Sequence, residues 1–277
     1  MTSIPFMKMH GLGNDFVLLD ARRQFFDLSV DQVCAITNRH TGVGCDQLII
    51  IEPAKNKGAD VLMRIYNADG GEVSACGNAT RCVAATVMKE RGTTHAVIES
   101  AAGLLDVKAM NGGLVSVDMG PANLDWRDIP LVREMDTAHL GITVGPLQNP
   151  VAVNVGNPHA VFFVVDAGAV PLECVGPEVE HHELFPERTN VEVAQVLSPD
   201  EIRVRVWERG VGITQACGTG ACATLVAACR RGLTERAAKI HLDGGTLSIE
   251  WREDGHVLMV GPVATSFHGT LDDSLLS

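Results

Sequence analysis

The chain has 277 residues, 46% of them apolar and 20% charged, which is enough to bury a sizeable core in one large domain or in two of about 100–150 residues. Its net charge of -12 and the lack of any run of Lys and Arg exclude nucleic acid as the main partner, so the acidity reads as solubility. No apolar run reaches the roughly 18 residues of a membrane span and the start, Met1-Thr2-Ser3-Ile4-Pro5-Phe6, carries no secretory signal, so a cytoplasmic protein with 8 reduced cysteines is expected.

In chain order, Phe6 to His10 and Phe16 to Asp20 read as strands joined by a turn over Gly11-Leu12-Gly13-Asn14-Asp15. Ser29 and Asp31 cap a short helix running to about Asn38. Thr41-Gly42-Val43-Gly44-Cys45-Asp46-Gln47 is a glycine-rich loop before the strand Leu48 to Ile51; no Gly-Lys-Ser/Thr follows, so a nucleotide loop is the weaker reading. Val61 to Tyr66 alternates as a strand and stops at Asn67-Ala68-Asp69-Gly70-Gly71. Ala75-Cys76-Gly77-Asn78-Ala79 then opens a helix of small residues that ends near Gly92. Three strands follow as a meander that closes at Gly120-Pro121.

Residues 122 to about 149, rich in Asp, Pro and Arg, read as a connector. The pattern then reopens with the strand Val151 to Val155, the turn Gly156-Asn157-Pro158-His159 and the strand Val161 to Val165. Arg188-Thr189-Asn190 precedes the strand Val191 to Ala194, and Ile202 to Trp207 alternates before Glu208-Arg209-Gly210. Ala216-Cys217-Gly218-Thr219-Gly220 opens a second cysteine helix, and further strands lead to Gly261-Pro262.

The second half rewrites the first. Asn157 follows Asn14 by 143 positions and Asn190 follows Gln47 by 143, while Glu208 follows Asn67, Cys217 follows Cys76 and Gly261 follows Gly120, each by 141. Five landmarks kept in order imply a duplication, with equivalent points, the cysteine-bearing helix starts, meeting at a central cleft. A helix start stabilises an anion through its unpaired N–H groups and its dipole. Thiols there are expected to lose their protons more easily than an ordinary cysteine, each serving as acid in one direction and base in the other. Two such thiols on opposite faces of one carbon, with a carboxylate held between the helix starts, invert a stereocentre without redox change. No lysine sits in a setting that suggests a pyridoxal Schiff base, so no cofactor is expected; without paired C-x-x-C spacing no metal is expected either.

The chain resembles the diaminopimelate epimerase family of pyridoxal-independent amino-acid epimerases and racemases. The segments that carry the resemblance are Lys8 to Phe16, Thr41 to Gln47, Asn67-Ala68-Asp69-Gly70, Cys76-Gly77-Asn78, Gly156-Asn157-Pro158-His159, Arg188-Thr189-Asn190-Val191-Glu192, Trp207-Glu208-Arg209-Gly210 and Ala216 to Gly220. The resemblance implies an α+β fold of two pseudo-symmetric halves, each a mixed sheet or barrel wrapped around a central helix, with the active site in the cleft. The first half would be 1–121, with a strand at 264–277 returning to it, and the second 122–263. The implied reaction takes LL-2,6-diaminopimelate to the meso form, in lysine and peptidoglycan precursor synthesis, in a homodimer.

By the same resemblance Cys76 and Cys217 are the acid/base thiols, and His159 and Glu208 assist their deprotonation. Asn14, Gln47, Asn67, Asn157, Asn190 and Arg209 would hold the substrate, and the backbone N–H groups of Gly77, Asn78, Gly218 and Thr219 would bind the reacting carboxylate. Ala75 and Ala79 depart from the family pattern, which more often shows a larger residue and a glycine there. A proline racemase would want histidine after Cys76-Gly77, where this chain has Asn78, and a phenazine-type isomerase lacks the first cysteine. The remaining cysteines, 34, 45, 82, 174, 222 and 229, read as small packing residues, and His10 as structural.

Overall fold

The computed structural model describes residues 4–73 and 76–276; Met1, Thr2, Ser3, the departing residue Ala75 and the terminal Ser277 lie outside the described residues. The chain forms two compact units, one made of residues up to Val117 and from Gly261 onward, the other of Asp118–Val260.

The first unit opens with β1 (Pro5–Gly11) and β2 (Asn14–Asp20), an antiparallel hairpin. Its turn places Leu12 and Gly13 at φ 56° and 85°, the left-handed region that glycine adopts without cost. Helix α1 (Val30–Thr37) follows, capped by Ser29, whose hydroxyl accepts from Gln32 while the Gln32 side chain returns to the Ser29 N–H. The strands β3 (Gln47–Glu52), β4 (Val61–Asn67) and β5 (Glu72–Val73) lead to helix α2 (Gly77–Arg91), which stops at Gly92 in the left-handed conformation. β6 (His95–Ser100), β7 (Gly103–Ala109) and β8 (Leu114–Pro121) complete the meander.

The second unit contains the short pair β9 (Thr143–Val144) and β10 (Leu147–Gln148), then β11 (Val151–Asn154), β12 (Pro158–Phe163) and α3 (Leu172–Glu180). β13 (Asn190–Ser198), β14 (Glu201–Glu208), β15 (Gly212–Thr214), α4 (Gly218–Arg230), β16 (Ala237–Leu242), β17 (Gly245–Trp251) and β18 (His256–Pro262) follow. The last strand, β19 (Ala264–Thr270), pairs antiparallel with β1.

Strand pairing is the same in both units. β1 to β2 is antiparallel, β2 to β3 parallel, β3 to β4 antiparallel, β4 to β6 parallel and β6 to β7 antiparallel. The series β11, β12, β13, β14, β16 and β17 repeats those senses in that order. The registers agree residue for residue: Phe16 lies opposite Gln47 and His159 opposite Asn190.

Each sheet curls around its own central helix. α2 packs on β1, β2, β6 and β7, and α4 on β11, β12, β13, β14, β16 and β17. Every residue of α4 from Gly218 to Ala228 is buried, which the run of Gly, Ala, Thr and Cys permits because small side chains let the strands approach on all sides. The few larger ones, Leu225 and Val226, are fully buried and contribute about 1.5–3 kcal/mol each. The opposite face of each sheet carries a second layer. Val17, Leu19, Leu48 and Ile50 pack with Val33 and Ile36 of α1, and Ala160, Phe162, Val191 and Val193 pack with Leu172, Val175 and Val179 of α3. The period-2 alternation of a strand therefore turns Phe16 and Ile49, and His159 and Glu192, toward the helix they enclose.

Two expectations need correction. Residues 122–149 are no connector: Ile129, Leu131, Leu140, Ile142 and Leu147 lie in the core of the second unit, and their backbone is tied into turns and the β9–β10 pair. The N–H groups of the glycine-rich loop, at Gly42, Val43, Gly44 and Cys45, donate to carbonyls of Asn38, Ile36 and Thr37 and so close the end of α1, and the nucleotide loop stays the weaker reading. Cys174 is exposed on α3, whereas Cys45, Cys82 and Cys222 are buried packing residues.

Candidate active site

Each unit gathers the expected residues at the start of its central helix. In the first, Cys76 is itself the N-cap of α2, with extended backbone (φ -151°, ψ 107°), and Gly77 and Asn78 form the first turn. Asn14, the first residue of β2, is buried and donates from Nδ2 to Asp46 Oδ2 at 2.9 Å. That bond fixes the amide so that Asn14 Oδ1 accepts from Asn78 Nδ2 at 3.1 Å and faces Cys76 Sγ at 3.9 Å. Asp46 is held in turn by Arg39, which also bridges to Asp15 at 2.7 Å. Burial would raise the Asp15 carboxyl, but Arg39 and Lys8 outweigh it and hold it down at about 2. Gln47 donates to Asn67 Oδ1 at 2.9 Å; its own Oε1 is buried and, among the described residues, meets no donor. Beneath the turn, the buried Arg81 donates to Asn78 Oδ1.

In the second unit Cys217 is the N-cap of α4, and its sulfur accepts from the Gly220 N–H at 3.4 Å. Thr219 Oγ1 stands 3.5 Å from the same sulfur. Glu208, the last residue of β14, accepts from Thr214 Oγ1 at 2.5 Å, and its charge bears on the Cys217 thiol. Burial raises the Glu208 carboxyl above its ordinary range. Cys217, 4% exposed, is likewise pushed well above an ordinary thiol, first by burial and then by the negative charges of Glu208 and Glu192. The expected lowering is therefore not met at Cys217, because desolvation and two carboxylates outweigh the helix start.

His159 is fully buried between two acceptors, with Nδ1 2.7 Å from Glu192 Oε1 and Nε2 2.8 Å from Asn157 Oδ1. Asn190 is consumed by backbone: it donates to the Pro158 carbonyl and accepts the Arg209 N–H, so it ties the His159 strand to the Arg209 turn. Arg209 itself donates to the Glu187 carbonyl and, with Asn157, Arg127 and Asp128, lines an open polar pocket of about 340 Å³. Among the described residues no group of three or more His, Cys, Asp or Glu side chains is placed to hold a metal.

Two residues were not singled out by sequence reasoning. Glu192 and Asp46 both lie inside quoted segments, yet no role attached to them. For Glu192 a signal existed: an acidic residue two positions after Asn190, flanked by Val191, Val193 and Ala194, faces the same side of its strand as Asn190.

Comparison with known proteins adds the decisive observation: the family model described as diaminopimelate epimerase matches residues 6–124 and 151–266. The chain belongs to the diaminopimelate epimerase family. A relative from Rhodospirillum centenum bearing that name is 60% identical over 98% of this chain and 93% of its own. One of the same name from Acidiphilium cryptum is 55% identical over 99% and 98%. The fold extends further than the sequence. A hydroxyproline epimerase from Agrobacterium vitis aligns with a TM-score of 0.70 at 14% identity, covering 97% of this chain and 92% of that one. A phenazine biosynthesis protein of the PhzF family from Bacillus anthracis aligns at 0.69 and 15%, covering 98% and 100%.

Proposed function

We propose that the chain epimerises LL-2,6-diaminopimelate to the meso form, without a cofactor, by acid–base exchange at one carbon between Cys76 and Cys217. Its family makes it an isomerase of amino-acid biosynthesis. The observation that carries the acid–base reading is that both cysteines cap the buried central helix of their own repeat at equivalent positions. One thiolate takes the α-proton and becomes a thiol. The electron pair left on carbon spreads into the adjacent carboxylate, where the first-turn N–H groups of Gly77, Asn78, Gly218 and Thr219 stabilise the growing charge. The second thiol gives its proton to the other face and becomes the thiolate.

Cys217 held as a thiol suits the donating step, and Glu208, with its raised carboxyl and its charge felt at Cys217, is the group to receive that proton when Cys217 turns base. His159 assists thiol deprotonation in the same way. The polar pocket with Arg209 and Asn157 fits the second amino-acid head of the substrate, and Gln47 Oε1 is a ready acceptor for a substrate N–H. The family resemblance supports a cytoplasmic homodimer.

The test is LL-diaminopimelate in heavy water with wild type, Cys76→Ser and Cys217→Ser. Wild type should place deuterium on the α-carbon as it epimerises, and each variant should lose on the order of 10³-fold in turnover. Wild-type turnover in either variant, or exchange into proline and none into diaminopimelate, would sink the reading.

A further inference from the structure

The two units share a backbone but not the polar set behind their cysteines. Applying the repeat, His159 corresponds to Phe16, Glu192 to Ile49 and Gly220 to Ala79, so the first unit has an apolar triplet where the second has an imidazole, a carboxylate and a glycine. All of these side chains face the enclosed helix, and Phe16, Ile49, His159 and Glu192 are each 0% exposed.

A carboxylate buried in a sheet next to an apolar core is costly unless something there uses it. Glu192 Oε1 meets His159 Nδ1 at 2.7 Å, while Oε2 is buried and, among the described residues, has no hydrogen-bond partner. The carboxylate also lies over the first turn of α4, where a Cβ at Gly220 would come within 2.7 Å of Glu192 Oε1. Nearby stand Glu208 and Cys217, both of which feel its charge.

We infer that Glu192 is a positioning residue for the reaction: through the Nδ1 hydrogen bond it fixes the ring orientation and protonation pattern of His159, so that Nε2 is the nitrogen presented at Asn157. This rests on the reading of His159 as part of the active site. With Nδ1–H donated to Glu192, a neutral ring leaves Nε2 as an acceptor, which the Asn157 amide meets by turning its Nδ2 inward. A protonated ring donates from both nitrogens and fits Asn157 Oδ1 as it stands. Either way only Nε2 is left to change its proton, and Glu192 never touches the substrate.

The experiment compares Glu192→Gln, which keeps an acceptor for Nδ1–H, with Glu192→Leu, which removes it, alone and combined with His159→Asn. Turnover is measured together with ¹⁵N NMR of the His159 ring. Expected are losses in kcat of about tenfold for the Gln variant and about a hundredfold for the Leu variant, with KM within about threefold. The ring nitrogens of Glu192→Leu should shift toward the other tautomer while those of Glu192→Gln stay near wild type. Adding Glu192→Leu to His159→Asn should cost nothing more. Losses that multiply in the double variant, or ring signals unmoved in Glu192→Leu, overturn the assignment and leave the active-site reading intact. Wild-type turnover in His159→Asn instead overturns the active-site reading of His159 itself.

Discussion

Replacing Gly220 by alanine pits two effects of opposite sign against each other. Alanine inside a helix is favoured over glycine by about 1 kcal/mol, so propensity alone makes Gly220→Ala stabilising. The structure opposes this, since the new Cβ would stand 2.7 Å from Glu192 Oε1 and 3.3 Å from the Cys217 sulfur. Glu192 cannot swing away cheaply, because it is buried and bonded to His159. Weakening that charge-assisted bond costs about 1.5–3 kcal/mol and overpacking a further 1–3 kcal/mol, roughly. After the helix gain, a net loss of about 1.5–5 kcal/mol remains, a fall in Tm of roughly 3–10 °C. The assay is thermal unfolding with turnover measured in parallel. In a Glu192→Leu background the same substitution should recover its stabilising sign, since the first unit holds alanine, Ala79, and a branched aliphatic residue, Ile49, at the equivalent positions of the repeat. A Tm that rises in Gly220→Ala with turnover unchanged would refute the contact.

Further outcomes follow from other parts of the molecule. Asp46→Ala frees the Asn14 amide from its 2.9 Å bond, and kcat/KM should fall about tenfold in steady-state kinetics; a value within twofold of wild type would mean that Asn14 needs no support. The Asp15 carboxyl titrates at about 2 when folded and near 3.8 when unfolded, so its ion pairs stabilise above about pH 4 and are lost as pH falls from there to 2. That is a loss of about 2 kcal/mol in denaturant unfolding which Asp15→Asn should not show over the same window, and parallel pH profiles of the two proteins would contradict it. Leu225→Ala, in the fully enclosed α4, should cost about 2–5 kcal/mol, read by chemical denaturation; less than 1 kcal/mol would mean that the helix is not confined as described.

Much of this was legible because it is local. A cysteine followed by glycine and a run of small residues announces a helix start and a buried helix, and Ser29 with Asp31 announces α1. The duplication was readable from constant offsets, since strand registers depend on count and not on chemistry. What was hidden depends on neighbours distant in sequence. Residues 122–149 look like a linker by composition, yet Ile129, Leu140 and Ile142 find partners on β12 and α3. The Cys217 thiol runs opposite to its helix-start expectation because the packed fold buries it and then because Glu208 and Glu192 arrive from other strands, and a short segment around Cys217 holds no trace of either.

The duplication also explains why one half can carry so polar an interior. A strand buried on both faces tolerates a carboxylate only where a donor occupies the adjoining strand and a gap opens in the enclosed helix. His159 supplies the donor and Gly220 the gap, and in the first unit Phe16 and Ala79 supply neither, so Ile49 fills the place of Glu192. The three positions therefore have to change as a set: Phe16→His alone would bury an imidazole facing Ile49, and Ile49→Glu alone would bury a charge against Phe16. Each single change places an unpaired polar group in a dry interior, whereas in the second unit His159 and Glu192 pair with each other. The scaffold is thus shared by the repeats, and the polarity of the interior behind each cysteine follows from three residues that the backbone holds in register.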